Sequence, residues 1–504
     1  MGMSKRRFIQ MLGAATAMTT ATIDHGAAAA TPQRRYDLLV IGAGTAGIPA
    51  AIFAAARGAS VLVVDAAATI GGTLLLTSGQ ISAAGTRVQR QMGIVDTPDL
   101  FFQDLMRISR GTIDQPIARL AVDNAAATVD WLMDNGYELL PGYPVKGIAH
   151  EPYSKRRYYW SASRGIGILN AMRPQFMQGI KAGKIDLLLE HRAVELSTDK
   201  SGAVAAVIAE DSGGKRREWK SRNVLLASGG YASNAAMFEK YSGFPKYLNG
   251  SYPFALGEGH LLAESVGGYM RNAEKYLTNF GILLATSTIP SSKRATTTFD
   301  PQVRQPWEIY VNSNGQRFVR EDVPSVDARE QAFHYQPHLR HWVVFDQAVL
   351  DNAPPILENW TREDLVAAFR GPDANFFRGD GLSALAEATG LPDSTLAATV
   401  DAYNYGVETG NDFFGRKHLP IKLQTPPYYA IRHQGTSITS TAGIAVNDQL
   451  QVVRRNGSAV PNLYAAGEIL GAGATQGQAF CGGMMVTPAL TFGRLLGQRL
   501  IRFA

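Results

Sequence analysis

Gly42, Gly44 and Gly47 stand in a Gly-x-Gly-x-x-Gly pattern, and Asp65 follows them at the end of a second apolar run. Each residue type has a task in holding a dinucleotide. The first glycine permits a tight turn, the second lets a pyrophosphate approach the backbone, and the third lets a helix pack on a strand. Ala46, inside the turn, belongs to the same site. A carboxylate about 20 residues on takes ribose hydroxyls. The flanks agree with this reading. Residues 38–41 read Leu-Leu-Val-Ile, fit for a buried parallel strand, and residues 48–57 are Ala-rich and helical until Gly58. The amides opening that helix would face a phosphate.

A second group that could do chemistry lies in residues 150–160, where Lys155, Arg156 and Arg157 precede Tyr158, Tyr159 and Trp160. Loops on a rigid sheet often carry function. Tyr159 and Arg157, with Tyr310 further on, are the candidate catalytic groups. Such side chains could polarise a carbonyl or shuttle a proton. The alternative is a packed tyrosine and a solvated arginine.

Further glycine turns follow: Gly71-Gly72-Thr73, then Ser78-Gly79, then Ala227-Ser228-Gly229-Gly230, and near the end Gly467-Glu468 and Gly482-Gly483. A second turn so soon after Asp65 suits a ligand longer than one nucleotide. With these motifs the chain resembles the flavoproteins of the fumarate reductase, succinate dehydrogenase and 3-ketosteroid dehydrogenase family. The resemblance implies FAD, and hydride transfer between flavin N5 and a small organic substrate. It places Ala193 on the adenine side. It puts the Ala227 to Gly230 turn against FAD, and Glu468 on the ribityl chain. It sets Gly483 and Met485 at a closing helix whose N-terminus favours negative charge on the reduced ring.

The family's substrate anchors are replaced. Fumarate reductases use arginines and a histidine where Ser325, Ser440 and Phe480 stand here. The ketosteroid branch has a tyrosine where Leu470 stands. Phe480, Met484 and Met485 suit an apolar pocket. The expected substrate is therefore a largely apolar ketone or enone. Two alternatives remain open: reduction of another unsaturated carboxylic acid, or service as an electron-transfer subunit. A separate electron donor or acceptor is expected as partner, because the lone Cys481 excludes an internal iron–sulfur centre or haem attachment.

These groups need elements to hold them. The expected fold is α/β, a Rossmann-like FAD-binding domain with an inserted α+β clamp domain. The divisions are residues 1–30, 31–276, 277–435 and 436–504, the second and fourth together forming the FAD-binding domain. Helices are expected over residues 96–109 and 115–136, strands over 185–194 and 203–210, and hairpins over 309–318 and 442–453. Residues 1–30 read as a twin-arginine-type export signal, with Arg6-Arg7-Phe8 ahead of a weak apolar stretch, which implies a periplasmic location. No other segment is long and apolar enough to span a membrane. A 45% hydrophobic and 18% charged composition indicates a globular protein, and a net charge of +6 over 504 residues is too mild to imply nucleic acid. No metal site is expected.

Overall fold

The computed structural model describes residues 34–147, 150–371 and 373–503. The export signal expected in residues 1–30 lies outside them. The architecture is the expected mixture of helix and sheet, and it starts from four-residue apolar runs. Leu38–Ile41 and Val61–Val64 are buried at every position, as strands covered on both faces must be. They lie at the middle of a six-stranded sheet ordered Gln451–Val453, Ala459–Ala465, Val224–Leu226, Leu38–Ile41, Val61–Val64, Ile185–Leu188. All neighbours in it are parallel except the first pair.

The register decides where ligands can sit. Ile41 pairs with Val64 on one side and Leu226 on the other, and Leu226 pairs with Ala465. Four strands from distant parts of the chain therefore end on the same rung. The turns after them, at Gly42, Asp65, Ala227 and Ala466-Gly467, open on one edge. Helix Gly47–Ala56 covers one face with alanines and Ile48, and the closing helix Val486–Leu495 packs beside it. That helix continues into a π-turn at Leu496–Leu500.

A second hydrophobic core surrounds an antiparallel sheet of Ile309–Asn312, Arg340–Asp346, Tyr428–Gln434 and Phe376–Gly379. Against its edge lies helix Val326–His334, capped by Ser325, whose hydroxyl accepts from the Ala328 amide.

Several expectations shift. The helices run Pro98–Ile108 and Gln115–Asp134. The strand expected over residues 185–194 breaks into Ile185–Leu188 and His191–Thr198, because Glu190 adopts φ 56°. The hairpin over residues 442–453 closes through a Val446–Val452 bridge and the Val453 amide on the Ala445 carbonyl, and Gly443–Ile444 also pairs with Met270–Arg271. Ile309–Asn312 pairs with Arg340–Asp346, and its turn at Gly315 closes through the Val311–Arg317 bridge and the Asn312 and Gln316 backbones.

Arg157 belongs to the fold. It is fully buried, with Nη2 on Asp96 Oδ1 at 2.7 Å and Nη1 on Asp104 Oδ2 at 2.8 Å. Its guanidinium also lies over the Phe101 ring. It ties the 150–160 segment to helix Pro98–Ile108. Removing it would leave Asp96 buried without a cation and Asp104 with only the half-exposed Arg107. Arg157→Ala is expected to lower the unfolding free energy by about 3–5 kcal/mol, read from urea titration. An unchanged midpoint would show that the cluster does not hold the segment.

Candidate functional site

The carboxyl edge of the parallel sheet borders a cleft with an empty volume of about 1610 Å³, its open mouth included. Its floor is the first glycine turn. Gly42 has φ 108°, and a Cβ there would stand 2.3 Å from the Ala227 carbonyl. At Gly47 a Cβ would stand 1.8 Å from the Gly42 carbonyl. Only glycine lets strand, turn and helix close up in this way. The second turn is bolted to the first, since the Gly71 amide donates to the Ala43 carbonyl at 2.8 Å.

Asp65 ends the second strand and faces the cleft. The Ala43 amide donates to Oδ2 at 2.6 Å and the Ala67 amide to Oδ1 at 2.8 Å. Burial raises its pKa and the two amides only partly offset this. Around it stand His191, Ala193 and Tyr252. The His191 amide donates to the Asp65 carbonyl, and burial, with the Asp65 charge nearby, pushes the Tyr252 phenol up to about 12.

The far end of the cleft is built from three segments. Thr77, Ser78 and Gln80 come from the second turn, Ile438 and Thr439 from the stretch after strand Tyr428–Gln434, and Gln476, Phe480, Gly483 and Met485 from the chain leading into the closing helix. Two bonds join the first and last: Ser82 Oγ donates to the Gly482 carbonyl at 2.8 Å, and the Ser82 amide donates to Thr487 Oγ1 at 2.8 Å. Glu468 lines the cleft between the two ends. Its carboxylate accepts the Ser440 amide at 3.0 Å, and burial raises its pKa. Among the residues lining this cleft there is no lysine and no arginine.

The FAD binding domain family matches residues 37–484. This chain is a member of that family. A probable fumarate reductase of Shewanella frigidimarina is 28% identical over 486 residues, 95% of this chain and 77% of that protein. A urocanate reductase of Eggerthella lenta is 26% identical over 479 residues, covering 92% and 74%. The crystal structure of a 3-ketosteroid-Δ4-(5α)-dehydrogenase from Rhodococcus jostii RHA1 superposes with a TM-score of 0.67 at 22% identity, covering 93% of this chain and 97% of that one. The protein is an FAD-dependent oxidoreductase of the fumarate reductase and ketosteroid dehydrogenase family, whose members act on C–C bonds.

The flavoprotein's expected cofactor residues fall into two sets. Gly42, Gly44, Ala46, Asp65, Gly72, Thr73, Ser78, Ala193, Ala227, Gly229, Gly467, Glu468, Gly483 and Met485 line the cleft. Gly47, Gly71, Gly79 and Gly230 do not. They stand behind its wall where chains meet closely: a Cβ on Gly79 would meet the Gly165 amide at 2.4 Å, and one on Gly230 the Ser440 hydroxyl at 2.0 Å. Met484, expected in the pocket, is wholly buried outside it.

The three expected catalytic groups are corrected by their surroundings. Arg157 is spent on Asp96 and Asp104 as described. The Tyr159 hydroxyl lies 2.6 Å from Thr86 Oγ1, fully buried and off the cleft. Tyr310 sits in the antiparallel core among Phe280, Phe299 and His341. Arg320 pairs with Asp322. The 150–160 segment instead supports the cleft wall from behind. Trp160 Nε1 donates to the Ser78 carbonyl and the Tyr153 hydroxyl to the Gly482 carbonyl. His150 stacks on Phe480 with ring centroids 4.1 Å apart.

Residues missed from the sequence include Thr45, Thr77, Gln80, His191, Ser228, Tyr252, Ile438, Thr439 and Gln476. Thr45 lay inside the recognised turn and Ser228 inside the next. Tyr252 and Ile438 carried no signal, since only the meeting of loops places them. Asp65→Ala is expected to weaken FAD binding by about 1–3 kcal/mol, leaving ribose hydroxyls unpaired, measured by fluorescence titration of apoprotein. Equal affinity would remove Asp65 from the site.

Proposed function

We propose that this flavoprotein transfers hydride to or from a C–C bond conjugated to the carbonyl of a largely apolar ketone or enone. The reading is supported above all by the charge of the cleft. No cation lines it, and the end away from Asp65 offers Phe480, Ile438 and Met485 with the neutral Gln80, Thr439 and Gln476. A dicarboxylate entering there would shed water for no charge partner, which is costly. Apolar contact instead gains about 25 cal/mol per Å².

FAD supplies the hydride acceptor and donor when bound. The glycine turn at Gly42 to Gly47 and the helix behind it would hold the pyrophosphate, and Asp65 and Glu468 the ribose and ribityl hydroxyls. The N-terminus of Val486–Leu495 would favour negative charge at the ring. Phe480 and Ile438 keep water out, and the amides of Gln80 and Gln476 are the neutral donors able to polarise a carbonyl. We assign residues 277–435 to a lid over this end of the cleft, and residues 31–276 and 436–504 to the FAD-binding domain.

One observation favours a second reading, reduction of a monocarboxylic enoate. Lys246 is buried, held by Ser251 Oγ at 2.7 Å rather than by a carboxylate, and burial lowers its pKa to about 8. Ser251 in turn donates to the carbonyl of the cleft residue Ile438. Lys246 thus stands one layer behind the wall.

Stopped-flow reoxidation of chemically reduced enzyme separates the two. A hydrophobic enone is expected to reoxidise the flavin, with fumarate at background. Rapid turnover of a monocarboxylic enoate, abolished in Lys246→Met, would establish the second reading, and rapid fumarate turnover would defeat both. We also place the protein in the periplasm. Changing Arg6 and Arg7 to lysine is expected to leave precursor in the cytoplasm, seen by fractionation. Undiminished export would reject the twin-arginine route.

A further inference from the structure

His150 joins two parts of the molecule that the reaction needs in register. On one side its ring stacks on Phe480, at 4.1 Å and an interplanar angle of 29°. On the other, Nδ1 lies 3.1 Å from Oδ1 of Asp327, in the first turn of helix Val326–His334. The neighbouring Glu151 amide donates to Oδ2 of the same carboxylate at 2.9 Å. Asp327 is buried, and Glu330 stands one turn further along the same helix, also buried. Gln331 of that helix reaches the Gln478 carbonyl. The helix therefore touches the Gln476 to Phe480 stretch both directly and through His150.

We infer that His150 is a positioning residue: clasped by Asp327, it sets the place of Phe480 and so the width of the cleft's apolar end. Phe480 has no polar atom to fix its rotamer, so what holds it is the surface against its face. An imidazole pinned by a carboxylate is a rigid surface of that kind. The role in substrate selection rests on the reading that the Phe480 end receives the substrate.

The clasp is sensitive to protons. Burial works against charge on His150, but the hydrogen bond to Asp327 and the charges of Glu330 and Asp327 outweigh it, Arg329 opposing, so its pKa is raised. Burial pushes Glu330 up to about 7. The other charged or titratable groups nearby are Glu151, Arg107 at 3.9 Å from Glu151, and the buried Cys481 thiol, itself raised by burial. Both raised groups give the same sign. Each holds its proton more tightly in the closed clasp, so the contribution is full at low pH. Glu330's part is lost between its ordinary carboxyl range and about 7, and His150's part as pH rises above its ordinary value.

The test is hydrogen exchange on the FAD-loaded full chain, followed as protection of residues 476–482 at several pH values. It needs no substrate. In the wild type, protection there is expected to fall as pH rises from 6 to 9, by about tenfold. His150→Ala should lose that protection at every pH, while His150→Phe, which keeps a stacked ring but cannot be clasped by Asp327, should keep only part of it and show no pH dependence. Asp327→Asn should resemble the high-pH wild type throughout. With a substrate that turns over, His150→Ala should raise KM severalfold more than it lowers kcat, and His150→Phe should restore KM only in part.

Protection of residues 476–482 unchanged in His150→Ala would overturn the inference. So would a loss of protection caused by a chelator in the wild type, which would mean a cation rather than a proton closes the clasp. Failure of enones to react, with exchange as expected, would fail the substrate reading and leave the clasp standing.

Discussion

Ile41, Val64, Leu226 and Ala465 stand on one rung of a parallel sheet, and the cleft exists because the chain must turn after each of them. A buried parallel strand cannot continue into solvent without exposing its backbone. The turns therefore crowd at one edge, and glycines carry them because backbone meets backbone there. Asp65 inherits its orientation from the same constraint. The Ala43 amide of the neighbouring turn holds its carboxylate, so the two halves of the nucleotide site fix each other.

A second theme is where the cations go. Arg157 is consumed by Asp96 and Asp104, Arg317 by Glu321 and Asp412, and Arg304 by Glu308. Each is a buried ion satisfied by buried partners, as burial of charge requires. These three arginines are thus structural. The cleft is left without lysine or arginine and is partly apolar, bounded by Phe480, Ile438 and Met485. That contrast distinguishes this chain from what its fumarate reductase relatives are named for.

The segment around residues 150–160 shows how a loop can matter without touching the ligand. Trp160 supports Ser78, Tyr153 supports Gly482 and His150 supports Phe480. Aromatic and cationic side chains in sequence looked like chemistry. In space their polar atoms are turned inward, toward backbone carbonyls and carboxylates that would otherwise be buried unpaired.

The sequence by itself determined the nucleotide half of the site. Gly42 to Gly47, Asp65, Ala227 to Gly229 and Gly467-Glu468 are legible because short-range rules govern them: a turn needs a glycine, a buried strand needs an unbroken apolar run, and the ligand contacts lie within a few residues of both. Tertiary structure alone decided the other half. Tyr252, Ile438 and Gln476 come from three separate segments, and Arg157 and Tyr159 could be removed from the cleft only by seeing Asp96, Asp104 and Thr86 beside them. A side chain's direction in a loop is set by whichever distant partner satisfies it, and no spacing along the chain encodes that partner.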